Sequence, residues 1–267
     1  MDPQFILSYT HIAIACVLLV LQMVLSLLLD LKLIRHIAWA SARMILQLSL
    51  VGLVLAQIFA WQNPWAILTL LTAMTLIAGH TAVSRVKHRY PGIYRNAMFS
   101  ILLSSWSITA YFLAAVNAPS PWYLPQYLIP LLGMILGNGI SGIALALERF
   151  LSDLSTQQAD IEARLALGAT RWEAVRDVFR SALQAGMTPI LNSMMASGLV
   201  SLPGMMTGQI LGGASPQQAV NYQIVILIMI SSSTAFGAFG VLYLSYLSLT
   251  HPDHRLRLER LQERTSS

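Results

Sequence analysis

Seven apolar stretches run through this sequence, each close to the roughly 20 residues that a helix needs to cross a bilayer. They cover residues 6–29, 44–60, 65–83, 97–116, 127–147, 182–202 and 222–247. Only 10% of all residues are charged, against about 25% in a typical soluble domain. The stretches lack the alternating pattern of barrel strands. The sequence therefore predicts an all-α integral membrane protein with about seven transmembrane helices.

The positions of the basic residues predict the orientation of these helices. All 16 Lys and Arg residues lie in four segments, 32–43, 85–95, 149–180 and 255–264. In a seven-span arrangement all four segments lie on one side, which the positive-inside rule makes the cytoplasm. We expect the N-terminus outside and the C-terminus in the cytoplasm. The net charge of +5 then reflects loops facing anionic lipid, and not a nucleic-acid surface.

No linker divides the apolar part of the chain. We expect a single transmembrane permease domain over residues 1–248, followed by a basic cytoplasmic tail over 249–267. The connection 203–221 is rich in glycine and too apolar for an ordinary exposed loop. The sequence leaves open whether 203–213 is a broken helix end or a re-entrant turn, since both are tolerated where protein or a cavity covers the backbone.

The one long inward connection, residues 148–180, has helical order. An apolar stripe of Ile161, Leu165, Trp172 and Val175 recurs at helical spacing and is interrupted at Gly168. Glycine is typical of a helix end, and Thr170 followed by Glu173 fits a capping box that starts the next helix. The pattern predicts a cytoplasmic helix-turn-helix segment. Its alternative is an amphipathic helix that binds only lipid at the membrane surface.

Two devices that energise transport are missing from the sequence. The predicted spans contain no Asp or Glu, although ion-coupled transporters usually rely on carboxylates within the membrane. The G-x-x-x-x-G-K-[ST] loop that binds ATP phosphates is also missing. We therefore expect a separate energised partner, no catalytic residue and no cofactor bound by this chain.

Residues 139–142 read GISG, which matches the sequence around the nucleophile of intramembrane serine proteases. A serine nucleophile needs a base, and the only histidines after Ser141, His251 and His254, lie in the predicted tail. Small residues at every fourth position also let helices approach closely. We therefore favour a helix-packing role for Gly133, Gly137 and Ser141 over a protease.

A few polar and thioether side chains fall at membrane depth, and we predict that they line a translocation path. They are Gln47, Asn138, Asn192, Met205, Met206 and Gln209. Amides in spans more often bond between helices, and methionine is more often a core filler than a metal ligand. The sequence contains no clear ligand cluster, so the metal ligands stay unknown at this stage.

Several blocks of sequence resemble one family. Residues 162–168, EARLALG, are similar to the E-A-A-x-x-x-G cytoplasmic loop of ABC transporter permeases, with Arg164 replacing the second alanine. Residues 199–208, LVSLPGMMTG, resemble a signature of the Fet-type iron-export permeases. Residues 130–138 and 165–170 resemble two further blocks of that family.

The resemblance implies a membrane subunit that works with a separate cytoplasmic ATP-binding subunit, which holds ATP-Mg. It also implies two copies of each subunit in a bacterial inner membrane, and efflux of iron or a related metal. On this basis the apolar stripe of 148–180 would seat in a groove of the ATPase. The polar members that would contribute to ATPase coupling are Glu162, Arg164, Arg171 and Arg176, together with Gly168, Thr170 and Glu173 at the turn. A self-sufficient channel or secondary transporter remains the alternative.

Overall fold

The computed structural model describes residues 9–61, 63–115, 121–251, 253 and 255–263, and most of these residues are helical. Residues 1–8 and Arg264, which the predicted topology and basic tail include, lie outside the described residues. The helices within the described ranges are α1 Tyr9–Leu28, α2 Ile34–Trp61, α3 Pro64–Ser84, α4 Ile93–Ala115, α5 Pro125–Thr156, α6 Gln158–Ala166, α7 Arg171–Ala196, α8 Gly204–Leu211 and α9 Pro216–Leu249. Two short strands, β1 His88–Arg89 and β2 Gln262–Glu263, pair antiparallel.

Six of the helices in the described ranges are long and apolar enough to cross a membrane, namely α1, α2, α3, α4, α5 and α9. The seventh predicted span, 182–202, differs from this expectation. Residues 182–196 belong to α7, which starts with a charged half at Arg171 and ends at Ala196, and residues 197–202 lie beyond that helix. The chain then leaves helical geometry until α8 begins at Gly204. The predicted span is therefore broken within its own length.

The chain divides into two compact units, residues 1–61 and 62–267, where the sequence predicted one domain over 1–248. The apolar stretches continue across this boundary without a polar linker, so composition gives no sign of it. In the first unit, α1 and α2 form a helical hairpin. Its turn contains Asp30 and Lys32 in the left-handed region, and the Ser26 hydroxyl accepts a hydrogen bond from the Leu33 N–H at 3.1 Å.

The second unit is built around the antiparallel helices α5 and α7, with α9 packed against both. Two glycines, Gly142 on α5 and Gly186 on α7, lie at a close contact between these two helices. A Cβ at Gly142 would lie 2.6 Å from the Gly186 carbonyl oxygen, and a Cβ at Gly186 would lie 2.6 Å from the Ala146 Cβ. In a membrane, lipid tails are as apolar as the side chains, so helix association depends on such close van der Waals contact. The two glycines therefore set the α5–α7 spacing.

The predicted packing stripe lies beside this contact and not on it. A Cβ at Gly137 would meet nothing within 4 Å, so its predicted packing role is wrong within one chain. Gly133 faces the Met74 methyl group, where a Cβ would approach to 3.3 Å. Ser141 accepts a hydrogen bond from the Arg85 guanidinium at 3.1 Å. The helix presents Gly142, one position beyond the predicted stripe, to α7.

The basic segments of the second unit meet at one end of it. The Lys87 N–H donates to the Glu148 carboxylate at 2.7 Å, which joins the α3–α4 connection to α5. The Tyr90 hydroxyl lies 2.9 Å from the Ser245 hydroxyl on α9. The pairing of β1 with β2 attaches the tail to the same connection. We refer to this as the basic end of the second unit.

The glycine contact predicts opposite outcomes for two similar substitutions on α5. Gly142→Ala should lower the stability of the purified protein by about 1–3 kcal/mol, because the added methyl group forces α5 and α7 apart. Gly137→Ala should leave stability unchanged or raise it by about 0.5–1 kcal/mol, since its Cβ enters open space and alanine favours helix. Thermal unfolding in detergent measures both. Equal effects would contradict the assigned contact.

Candidate functional site

A polar cavity of about 550 Å³ lies among α5, α7, α8 and α9, far from the basic end. Asn138 marks its depth, because it is about midway between Tyr127 and Glu148, roughly 15 Å from each along α5. Asn192 on α7 and Met205 on α8 contribute to the same wall. The cavity therefore lies at membrane depth, where polar groups are uncommon and often functional.

Amides and hydroxyls supply the polar part of the lining. The Asn138 amide donates to the Met134 carbonyl at 2.9 Å, and the Ser193 hydroxyl donates to the Pro189 carbonyl at 3.0 Å. Among the described residues the Gln223 Oε1 is buried without a hydrogen-bond partner. A buried acceptor left unpaired costs on the order of 1–3 kcal/mol. The lining thus contains a hydrogen-bond acceptor, the Gln223 Oε1, that no group of the described residues satisfies.

Three of the predicted path residues meet at this cavity, and three do not line it. Asn138, Asn192 and Met205 form part of its wall. Met206 and Gln209 lie half-buried on α8 outside the lining. Gln47 lies on α2 in the first unit. The path assignment stays a prediction for all six.

Sequence reasoning missed several polar lining residues, namely Ser193, Ser197, Ser201 and Gln223. Serine is common in helices and bonds to its own backbone, so its presence alone gave no signal. A signal was available in the spacing, because Ser193 and Ser197 are four residues apart, which places side chains of a helix on one face. The lining contains no charged side chain. Within the described ranges, no three His, Cys, Asp or Glu residues are grouped so that they could hold a metal ion.

At the basic end, α6 and α7 are joined by a tight turn whose two ends are capped. Gly168 has a φ of +92°, and its N–H donates to the Leu165 carbonyl while the Ala169 N–H donates to the Arg164 carbonyl. These are the paired bonds of a Schellman motif, which glycine allows because it carries no Cβ. The helix end predicted at Gly168 is therefore present.

The next helix starts with a complete capping box. The Thr170 hydroxyl accepts from the Glu173 N–H at 3.3 Å, and the Glu173 carboxylate accepts from the Thr170 N–H at 2.8 Å. The predicted box is confirmed. Because both helix ends are capped by their own residues, the turn has one defined geometry and can act as a rigid element.

An ion pair fastens α6 to α7 across this turn. The Arg164 guanidinium lies 2.8 Å from the Asp177 carboxylate. This hydrogen bond, aided by the charges of Arg164, Arg180 and Arg176, holds the pKa of Asp177 below its usual value of 3.8. Because this pKa is depressed, the Asp177 carboxylate is ionised and paired at any pH above its usual pKa. The ion pair is lost only as the pH falls through the lowered pKa. The pair is therefore constant at physiological pH.

An aromatic cluster connects the turn to α5 and α9. The ring of Trp172 lies 5.2 Å from that of Phe179 and 5.5 Å from that of Tyr246. Phe179 in turn contacts Phe150 on α5 at 6.0 Å, and the Arg171 guanidinium lies 5.5 Å above the Tyr246 ring. Such edge-to-face contacts each contribute about 0.5–1.5 kcal/mol beyond burial. Displacement of the turn would therefore move α9 and α5 with it.

The exposure of the predicted docking stripe requires a correction. Ile161 and Val175 are 2% and 0% exposed, so they face the protein interior and not a partner. These two positions form the inward face of the segment, because an apolar stripe on a surface helix covers its own core first. Trp172 of the same stripe is 39% exposed. An outward apolar residue that the predicted stripe did not include is Leu167 at the turn, which is 89% exposed. Glu162 is exposed as well and accepts a hydrogen bond from Gln158 on its own helix.

The structure also bears on the protease alternative. Ser141 is hydrogen-bonded to the Arg85 guanidinium. A guanidinium stays protonated in proteins and has no acceptor, so it cannot take the proton of a nucleophile. The observed contact gives Ser141 a role in joining α3 to α5.

The model of the family described as "Uncharacterised protein family (UPF0014)" matches residues 9–250. A UPF0014 membrane protein of Synechocystis is 41% identical over 79% of this chain and 82% of its own length. The Arabidopsis thaliana protein ALUMINUM SENSITIVE 3 is 35% identical over 92% of this chain and 88% of its length.

The name of a third relative states a function. It is the Escherichia coli "Probable iron export permease protein FetB", 30% identical over 95% of this chain and 96% of its own length. No solved structure matches significantly. The family match covers both units, the polar cavity and the capped turn. The chain is thus a multi-pass membrane protein, and it belongs to the UPF0014 family.

Proposed function

We propose that this chain is the membrane-spanning permease subunit of an ABC transporter, with ATP hydrolysed by a separate subunit. The observation that carries the proposal is that the helix pair α5 and α7 connects the capped turn to the polar cavity. The capped turn begins α7 at Arg171, and the polar cavity includes Asn192 on the same helix, roughly 30 Å away. The glycine contact at Gly142 and Gly186 keeps α5 and α7 together between the two.

The arrangement of the second unit supports the predicted orientation. Its three basic segments meet at the basic end, as the positive-inside rule requires of cytoplasmic loops. The broken pair α7 and α8 would serve as the seventh crossing. A discontinuous helix at the substrate site is a recurring device of transporters. The N-terminus would then be outside and the C-terminus in the cytoplasm.

In this mechanism, ATP binding draws two partner ATPases together and pushes on the turn of each permease. Leu167 would insert into a groove of the ATPase, while Glu162 and Arg176 on exposed faces would fix its orientation. Trp172 would transmit the displacement through the aromatic cluster to α9. Because α5, α7 and α9 all line the cavity, the displacement would change which side of the membrane the cavity faces.

For the cargo, we propose export of iron or a related metal, which the name of the Escherichia coli relative suggests. The cavity offers amide and hydroxyl oxygens and the Met205 thioether as contacts. The functional complex would contain two permeases and two ATPases in surrounding lipid. ATP-Mg would bind only the partner, and this chain would carry no cofactor.

The exposed leucine at the turn gives the direct test of partner binding. Leu167→Glu should abolish co-purification of an ATP-binding subunit from native membranes without lowering stability, because the side chain is almost fully exposed. Leu167→Met keeps an apolar side chain of similar volume and should retain the partner. Co-elution and ATPase activity measure the effect. Full co-purification with Leu167→Glu, or flux from the permease reconstituted alone, would contradict the proposal.

A second prediction separates coupling from stability by comparing two glycines of similar geometry. Gly168 and Gly92 have φ values of +92° and +94°, so valine at either strains the backbone by at least about 1–2 kcal/mol. Both variants should lose similar stability. Only Gly168→Val should uncouple ATP hydrolysis from transport, because it distorts the turn that contacts the ATPase. Equal transport rates per folded complex for the two variants would exclude a coupling role for the turn.

A further inference from the structure

The Arg85 side chain extends from the end of α3 toward the middle of the membrane. Two residues further along the chain, the Lys87 N–H donates to the Glu148 carboxylate at the basic end. The Arg85 guanidinium instead donates to the Ser141 hydroxyl at 3.1 Å, and Ser141 is roughly 10 Å from Glu148 along α5. Arginine near a helix end ordinarily extends toward the membrane surface. A guanidinium that extends the other way is typical of a water-filled path.

This guanidinium has hydrogen-bond donors to spare. It carries five N–H donors, and the Ser141 hydroxyl accepts from one of its nitrogens. Among the residues that the structure describes, no carboxylate forms an ion pair with Arg85. The side chain is exposed, so the other donors are accessible. Because a charge at membrane depth needs water or an opposite charge beside it, the position suits an anionic group.

Arg85 lies next to the polar cavity, on the side of the basic end. Asn138 lines the cavity and precedes Ser141 by three residues on α5. This spacing places the two side chains one helical turn apart on one face of the helix. The Arg85 guanidinium, bonded to Ser141, is therefore about one turn from the cavity wall.

A polar stripe on α7 leads to the same cavity. Its members are exposed and follow at every fourth residue from the basic end: Arg180, Gln184, Thr188 and Asn192. The last of them, Asn192, lines the cavity. Since Gly186 on α7 faces Gly142 on α5, Thr188 is near the level of Ser141. The stripe and Arg85 together form a polar approach from the basic end to the cavity.

The charged side chains of this approach, Arg85 and Arg180, are both positive. Residues 138–147 of α5 and residues 178–192 of α7 contain no Asp or Glu. The acidic residues that come next on these helices already accept hydrogen bonds at the basic end. A path lined by one sign of charge concentrates ions of the opposite sign and repels the others. Arg85 would therefore repel a bare metal cation and attract an anion.

We propose that Arg85 selects the cargo by charge at the cytoplasmic entrance, and that the cargo enters as an anion. This inference rests on the proposed transport function and names its substrate class. Iron or a related metal would enter bound by carboxylate groups, as a complex of net negative charge. A guanidinium binds a carboxylate through two parallel hydrogen bonds. Further in, the Asn138 and Asn192 amides offer N–H donors to the same complex without adding charge.

Charged thiol reagents measure this selectivity without the ATPase or the cargo. The only native cysteine, Cys16, is replaced by serine, and Asn192→Cys is labelled in inverted membrane vesicles that contain the full chain. An anionic and a cationic methanethiosulfonate are compared at that cysteine. We expect Arg85→Gln to lower the ratio of the anionic to the cationic rate about fivefold, because one nearby charge acts in opposite senses on the two reagents. Arg85→Lys keeps the charge and should keep the ratio.

The matched control is Arg95→Gln on α4. Arg95 is likewise an exposed arginine of the second unit, but of the described residues that line the cavity none belongs to α4. Its replacement should leave the ratio unchanged. All variants are compared at the same cysteine, so the intrinsic reactivities of the two reagents cancel. An unchanged ratio in Arg85→Gln, or an equal fall in Arg95→Gln, would overturn the proposal.

The cargo itself is tested on the complex with its ATPase, reconstituted in lipid without oxygen. Ferrous ion alone, ferrous citrate and citrate alone are added, and ATP hydrolysis is measured. We expect ferrous citrate to stimulate the wild-type complex several-fold more than ferrous ion alone, and Arg85→Gln to remove this preference. Stimulation by ferrous ion alone that equals or exceeds that by ferrous citrate would overturn the proposal.

Two further outcomes separate this inference from the proposed function. Full stimulation by citrate alone would support an anionic cargo and reject the metal. Absence of any ATPase partner would reject the proposed function, while the thiol-reagent ratio would still report the charge selection by Arg85.

Discussion

The contact between Gly142 on α5 and Gly186 on α7 is the interaction on which the rest of the second unit depends. It brings the two backbones together at a point where neither glycine could carry a side chain. With the helices held at this spacing, the capped turn at one end and the polar cavity at the other belong to one rigid element. The aromatic cluster around Trp172 extends that element to α9. Because lipid offers no hydrophobic gain for helix association, close packing of this kind must supply the cohesion.

Much of the fold could be predicted because the membrane imposes strong rules on sequence. Length and apolarity located the six helices that are long enough to cross. Local chemistry placed the helix end at Gly168 and the capping box at Thr170 with the correct hydrogen bonds. Of the path residues, Asn138, Asn192 and Met205 lie at one cavity, while their role in transport stays a prediction. The helices, the helix end and the capping box are each determined by residues that are close together in the chain, so they can be predicted without knowing which helices are neighbours.

The features that the sequence did not reveal depend on which face of a helix meets which neighbour. Gly137 and Gly142 both look like packing residues, and only the position of α7 distinguishes them. Ile161 and Val175 are apolar whether they face the interior or a partner, and the structure buries both. The break after Ala196 falls in an apolar run that reads as a continuous span. Its cause is local, since Gly198 adopts a φ of +86° and Pro203 precedes α8.

The most direct test of the account measures whether the turn controls the cavity. In a background without Cys16, Asn192→Cys reports access to the cavity through its rate of reaction with a maleimide. The complex with its ATPase is labelled with and without a non-hydrolysable ATP analogue. The account predicts that the nucleotide changes the labelling rate, and that Gly168→Val removes this change while Gly92→Val preserves it. A rate that nucleotide leaves unchanged, or that responds equally in both glycine variants, would contradict the proposed link between the turn and the cavity.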